Sequence, residues 1–348
     1  MSMIAALEDG VVKPSDMIDT GNGERIIYGK KVKDSKKGGH GSISVSKVFE
    51  VSSNTGIVNI IYDNYNDNPK KFIDRLYNMG LHKQLNIPIK GEGRPKIPYP
   101  TDKDWSGISL AWMAWGYGVS LTPLQILTFY NAVANNGEMV KPVFIDKIGR
   151  LGRPPHIKYS KKVLNPSICS KETLSAVKKM LLNVVDKEWG TANKIKDKNF
   201  TIAGKTGTAQ TEYTKNSTEY ISSFVGYFPA EKPKYSCIVV INKPNKTKGY
   251  YGAQVAAPVF KKIAKKIHSG ITKDIYIPFS NLGLTKKKSF EKKKSMPNLI
   301  GHEVMDAIVF LEKNNIKVNV FGKRGKIKKQ SVVSGTPLNK IKSIDLSL

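Results

Sequence analysis

Thr201-Ile202-Ala203-Gly204-Lys205-Thr206-Gly207-Thr208-Ala209-Gln210 decides how the rest of the chain is read. A β-strand ending in Lys205-Thr206-Gly207 presents an ammonium, a hydroxyl and a residue without a Cβ in succession. A carboxylate docking there meets a charge and a hydrogen-bond donor, and its backbone can approach closely at Gly207. Upstream, Ser52-Ser53-Asn54 sets a hydroxyl able to relay a proton two residues from an amide able to hold a peptide group from both ends. None of these groups is a nucleophile by itself. Ser-Ser-Asn alone also reads as a helix cap or a turn, and Lys-Thr-Gly alone is an easy coincidence in a lysine-rich chain. The chemistry lies in the pair.

At 348 residues, 40% of them hydrophobic, the chain has room for about two domains and a sizeable core. A formal net charge of +29 ordinarily points to nucleic acid, yet only six of the 57 basic residues are arginine, the side chain whose planar fork suits base and phosphate recognition. No helix-turn-helix, zinc or RNA-binding signature accompanies the charge. Nucleic acid is therefore not the expected partner; weak attraction to anionic polymers or lipid headgroups is. Cys169 and Cys237 stand far apart without a Cys-x-x-Cys or a histidine at metal spacing, and the five histidines are scattered. No metal, cofactor or disulfide framework is expected, and Cys237, inside the apolar run Tyr235 to Ile241, reads as a buried structural thiol. No run approaches the roughly 18 to 20 apolar residues of a membrane span, and no signal peptide is recognisable.

The organisation is α+β. Met1 to Leu7 is apolar and helix-compatible, and a turn-rich basic stretch runs from Asn22 to Gly41. Helical spacing on both sides of Ser-Ser-Asn, through Val45 to Val51 and then Ile57, Ile60 and Ile61, places the tripeptide at a helix junction. Thr122-Pro123-Leu124-Gln125 reads as a capping box with proline at the first helical position. Ser170 opens a helix that buries Leu174, Val177, Leu181, Val184 and Val185. Three β-rich runs follow, Phe200 to Lys205, Ser222 to Tyr227 and Tyr235 to Ile241, then a helix with Val255, Val259, Ile263 and Ile267 on one face and lysines opposite.

Taken in order, Val51-Ser52-Ser53-Asn54-Thr55-Gly56, Gly116-Tyr117-Gly118-Val119-Ser120-Leu121-Thr122-Pro123-Leu124-Gln125, Ala134-Asn135-Asn136-Gly137, Ala203-Gly204-Lys205-Thr206-Gly207-Thr208 and Ser223-Phe224-Val225-Gly226-Tyr227-Phe228-Pro229-Ala230 resemble the text of class B penicillin-binding proteins, the cell-division peptidoglycan D,D-transpeptidases. Ser-x-Asn and Lys-Thr-Gly are two of the three signature motifs of that wider group. The resemblance implies a serine β-lactamase-like fold, an antiparallel sheet flanked by helices. By the same resemblance Ser52 would relay protons, Asn54 would hold the substrate amide, Lys205, Thr206 and Gly207 would dock the carboxylate of a D-alanyl-D-alanine stem, and Thr208 would lend its N–H to an oxyanion hole. The implied partners are peptidoglycan stem peptides, β-lactams and divisome membrane proteins. The implied location is the inner membrane with the catalytic domain in the periplasm, although neither anchor nor signal is in this chain.

The third motif, Ser-x-x-Lys, carries the family's nucleophile and base, and is expected immediately before Met1, so that the chain starts inside the nucleophile helix and its N-terminal half is a further partner. Matches at Ser44/Lys47, Ser175/Lys178 and Ser289/Lys292 are misplaced for that role. Without the serine no acyl intermediate forms. Two readings stay open: part of a D,D-transpeptidase, or a non-catalytic peptidoglycan- or β-lactam-binding remnant. After residue 268 the text becomes a like-charge basic linker over 269–295. Residues 296–348, from Met296-Pro297-Asn298-Leu299-Ile300-Gly301 to Ser334-Gly335-Thr336-Pro337-Leu338, resemble a PASTA domain, one helix on a short three-stranded sheet. Residues 1–268 would be the transpeptidase domain without its N-terminal portion.

Overall fold

The computed structural model describes residues 1–148, 156–211, 218–270, 295–322 and 326–348. The chain divides into two compact units, Met1–Lys273 and Asp274–Leu348.

The larger unit carries an antiparallel sheet whose strands lie in the order Tyr235–Asn242, Glu219–Phe228, Ala203–Thr211. Ala203–Thr211 is thus an edge, paired without a break from Ala203↔Tyr227 to Thr211↔Glu219. The expected strand over Phe200 to Lys205 is displaced: it begins at Ala203 and runs through the motif to Thr211, leaving Lys205 to Gly207 in its interior. Thr206, Thr208 and Gln210 hid that continuation, because polar residues normally mark a strand's end. An edge that borders a cleft tolerates them.

The closing helix also departs from the reading of its sequence. Ala257–His268 buries Ala257, Phe260 and Ala264, while Val259 and Ile263 are exposed. A separate turn, Gly252–Val255, ends at Ala256, and a proline then opens the second helix, so the helical phase restarts and Val255 no longer shares its stripe. Small residues let this helix approach the sheet closely, and Phe260 fills the gap edge-on to Phe224 (4.8 Å) and Phe228 (5.7 Å).

Helices Val45–Glu50 and Asn54–Tyr65 flank the Ser-Ser-Asn tripeptide as expected. They pack through Gly56, where a Cβ would lie 2.7 Å from Val48 Cγ1. The basic stretch before them forms the hairpin Glu24–Ile27 with Lys30–Lys33. The capping box at Thr122 and Gln125 is present, and Ser170 caps helix Lys171–Asp186, whose five expected apolar residues are all buried. Helix Ser2–Glu8 is held by Asp9, which accepts from Tyr65 Oη and Arg75 Nε at 2.8 Å each. Cys169 is buried, but Cys237 is only half-buried.

In the smaller unit, helix Val304–Lys313 buries Ala307, Phe310 and Leu311. Its sheet has the order Lys317–Phe321, Ser343–Ser347, Lys329–Gln330, the first pair parallel and the second antiparallel. That is the one-helix, three-strand arrangement expected of it. Ser289, Lys292 and nearly all of the basic linker lie outside the described residues. Among the described residues no helix is long and apolar enough to cross a membrane.

Candidate active site

The site begins with a turn. Ser53 caps helix Asn54–Tyr65, its Oγ accepting from Gly56 N at 3.0 Å. Reversing the chain between two helices in so few residues sets Ser52 at φ +59°, a left-handed conformation that a residue with a Cβ adopts at a cost and that clusters at functional sites. The Ser52 hydroxyl reaches the edge strand, where Lys205 Nζ donates to Ser52 Oγ at 2.7 Å.

Burial pushes the Lys205 ammonium from its ordinary 10.5 down to about 8. Between about pH 8 and 10.5 the unfolded chain therefore binds more protons than the folded one. The penalty of holding this cation is fully present below about pH 8 and relieved as the pH rises through that window. Lys205→Met is expected to raise stability at pH 7 by up to about 3 kcal/mol, a ceiling because the side chain is only half-buried and lines a cavity open to solvent. The gain should shrink toward pH 10.5. Melting curves of both proteins across that range check this; a pH-independent difference would contradict it.

Next along the strand, Thr206 Oγ1 lies 3.1 Å from Thr191 Oγ1. Thr191 in turn donates its N–H to the carbonyl of Glu50, at 3.2 Å. The Glu50 carboxylate is buried, accepting from Asn183 Nδ2 at 2.6 Å and Trp189 Nε1 at 2.7 Å. The Trp189–Thr191 segment thus ties the helix before Ser52 to the strand that carries Lys205. Asn54 anchors its Nδ2 on the Lys33 carbonyl at 2.8 Å, which leaves the amide oxygen turned to other use. At Gly207 a Cβ would fall 2.5 Å from Ser223 Oγ, a hydroxyl that would have to turn aside to admit it.

Ser52, Asn54, Lys205, Thr206 and Gly207 line one cavity of about 420 Å³, whose other walls include Trp115 and Tyr130. Thr208 is not among its lining. Its Oγ1 accepts from Gly252 N at 3.0 Å, and Gly252 packs so tightly that a Cβ would lie 2.3 Å from the Ser223 carbonyl oxygen and 2.5 Å from that of Gly207. Gln210 sends its N–H to Tyr117 Oη at 3.0 Å, away from the neighbouring strand. Alternate residues of an antiparallel edge strand point their N–H groups the same way, so the N–H groups of Thr206 and Thr208 face the open side too.

The Ser-x-x-Lys matches stand elsewhere. Ser44 Oγ caps a helix by accepting from Lys47 N at 3.2 Å, and exposed Ser175 borders a separate cavity with Lys47, Glu50 and Trp189. The serines of the main cavity are Ser2, Ser52, Ser53 and Ser223, and none has a lysine three residues on. Among the described residues no group of His, Cys, Asp and Glu could hold a metal ion. Sequence reasoning missed Glu50, Thr191 and Tyr117; of these only Tyr117 lay in a recognisable block.

The penicillin-binding protein transpeptidase domain model matches residues 1–265, and the PASTA domain model matches residues 294–348. The stage V sporulation protein D of Bacillus subtilis is 28% identical over 97% of this chain and 50% of its own length. The peptidoglycan D,D-transpeptidase FtsI of Escherichia coli K12 is 30% identical over 76% of this chain and 41% of its own length. The chain thus spans half or less of the length of these curated relatives. The apo transpeptidase domain of Burkholderia pseudomallei penicillin-binding protein 3 superposes with a TM-score of 0.64 at 26% identity, covering 78% of this chain and 77% of that one. Penicillin-binding protein 3 of Mycobacterium tuberculosis, solved with aztreonam, gives 0.63 at 26% identity over 77% and 60%. With a Lys-Thr-Gly strand facing a Ser-x-Asn turn in one unit and a one-helix, three-strand arrangement in the C-terminal unit, the chain belongs to the penicillin-binding protein transpeptidase family and carries a C-terminal PASTA domain.

Proposed function

We propose that this chain is the substrate-holding part of a peptidoglycan D,D-transpeptidase that cross-links stem peptides during cell division, with the nucleophilic serine supplied from outside these 348 residues. The observation that carries the reading is the Lys205 Nζ to Ser52 Oγ contact of 2.7 Å in a cavity that also holds Asn54 and Thr206 but no serine with a lysine three residues on. Lys205 and Thr206 would dock the carboxylate of a D-alanyl-D-alanine stem, or that of a β-lactam. Asn54 would orient the amide, the Thr208 N–H would meet the developing oxyanion, and Ser52 would pass a proton to the departing D-alanine. The division of labour along the chain is a transpeptidase domain at 1–268, a basic linker at 269–295 and a PASTA domain at 296–348. The whole enzyme would work on the periplasmic side of a membrane beside divisome membrane proteins.

The test uses the parent enzyme, this chain joined to the segment that carries the serine. It is expected to release D-alanine from a peptide ending in D-Ala-D-Ala, and amidating the terminal carboxylate should slow release at least tenfold, the worth of a charge-assisted contact. Equal turnover of acid and amide would remove Lys205 and Thr206 from carboxylate recognition.

A further inference from the structure

Asp34 belongs to neither motif, yet its buried carboxylate, 4% exposed, accepts three hydrogen bonds from the residues just after Ser52. Ser53 Oγ donates to Oδ2 at 2.9 Å, Thr55 Oγ1 to Oδ2 at 3.0 Å, and the Thr55 N–H to Oδ1 at 2.9 Å. Ser53 Oγ and Thr55 Oγ1 lie 3.2 Å apart, side by side on the one carboxylate oxygen. The residue before Asp34 completes the grip: the Lys33 carbonyl takes Asn54 Nδ2 at 2.8 Å. Asp34 itself is fixed by its own N–H, donated to the Gly23 carbonyl at 2.9 Å, at the end of the hairpin strand Lys30–Lys33.

Capping does not require this arrangement, because Ser53 already satisfies a free N–H of helix Asn54–Tyr65. A buried carboxylate held by neutral donors is costly to desolvate, although the helix N-terminus beside it favours a negative charge. What the carboxylate adds is constraint. The left-handed Ser52 at φ +59° closes the helix before it, with Ser52 N–H donating to the Phe49 carbonyl at 3.2 Å and Ser53 N–H to the Val48 carbonyl at 3.0 Å, and the pinning of residues 53 to 55 fixes the other side of the same turn.

We propose that Asp34 is a positioning residue for the acyl-transfer site, fixing Ser53 and Thr55 on either side of Asn54 and so holding the turn that keeps Ser52 on Lys205 and Asn54 facing the cavity. This rests on the transpeptidase reading for its catalytic consequence but not for its geometry. Once the carboxylate is removed, the turn is held on its helix-cap side alone, and the Ser52 hydroxyl shifts from its place on Lys205.

Two readouts separate the two claims. In this chain, the titration of the Lys205 side chain is followed by NMR in the wild type, Asp34→Ala, Asp34→Asn and Ser52→Ala. Asp34→Ala is expected to move the Lys205 midpoint in the same direction as Ser52→Ala, and Asp34→Asn to move it less, since its oxygen still accepts from Thr55 N. In the parent enzyme, penicillin acylation by Asp34→Ala is expected to fall at least tenfold. Asp34→Asn serves for both readouts if the alanine variant does not fold. Variants that melt earlier yet keep the wild-type Lys205 midpoint, and acylate within twofold of wild type, would reduce Asp34 to a structural residue and overturn the proposal. A parent enzyme that is never acylated, with the Lys205 midpoint still following Asp34, would overturn the transpeptidase reading and leave the positioning intact.

Discussion

Lys205→Ala in the parent enzyme is expected to slow acylation by a labelled penicillin by about 100-fold or more. The substitution removes the ammonium proposed to meet the carboxylate and also the partner of the Ser52 hydroxyl at 2.7 Å. A charge-assisted contact realised in the transition state is worth about 3 kcal/mol, which is the stated rate factor. Asn54→Ala should lower the rate as well, because its amide is already oriented by the Lys33 carbonyl. Lys178→Ala is the control. It sits on the helix Lys171–Asp186, where its Nζ donates to Asn136 Oδ1 at 2.8 Å, and its loss should leave acylation within about twofold. Stopped-flow or gel-based acylation rates for the three variants provide the comparison. Equal losses at Lys205 and Lys178 would mean general destabilisation, and Lys205-Thr206-Gly207 would have to be withdrawn as the docking strand.

Much of this site was legible because its chemistry is concentrated in short, ordered text. Ser52 and Asn54 fall at a junction that apolar spacing locates, and Lys205 to Gly207 on a strand that β-rich text locates. The partners that hold those motifs were not legible, for a physical reason. Asp34 is separated from Ser53 by 19 positions and Glu50 from Trp189 by 139, and while Glu50 is a lone acid in an apolar helical run, Asp34 stands in text that reads as solvated surface. Val32-Lys33-Asp34-Ser35-Lys36-Lys37 has every mark of an exposed basic loop, and only the fold shows that its one carboxylate points inward. The last helix of the larger unit failed differently. Val259 and Ile263 gave the better helical stripe by hydrophobicity, but the sheet selected Ala257, Phe260 and Ala264 by shape, and the proline after Ala257 reset the phase. In the smaller unit no such conflict arose, because Ala307 and Leu311 serve both hydrophobicity and packing.

The second large effect is all-or-none. A covalent penicilloyl adduct requires a hydroxyl activated by a nearby base. Ser52 and Lys205 are close, but Ser52 sits on a strained turn whose hydroxyl already accepts from the ammonium, an arrangement suited to relaying a proton rather than to attack. Ser44 is engaged as a helix cap, and Ser175 is exposed beside a different cavity. In the proposed reading the cavity would supply recognition and proton transfer, with the nucleophile coming from elsewhere. Intact-mass spectrometry after incubation with a labelled penicillin, run in parallel on Met1–Leu348 and on the parent enzyme, tests this most directly. The expected result is no mass increase on Met1–Leu348 and a stoichiometric adduct on the parent enzyme, mapped to a serine outside these residues. A stoichiometric adduct on Met1–Leu348, mapped to Ser44, Ser52 or Ser175, would contradict it.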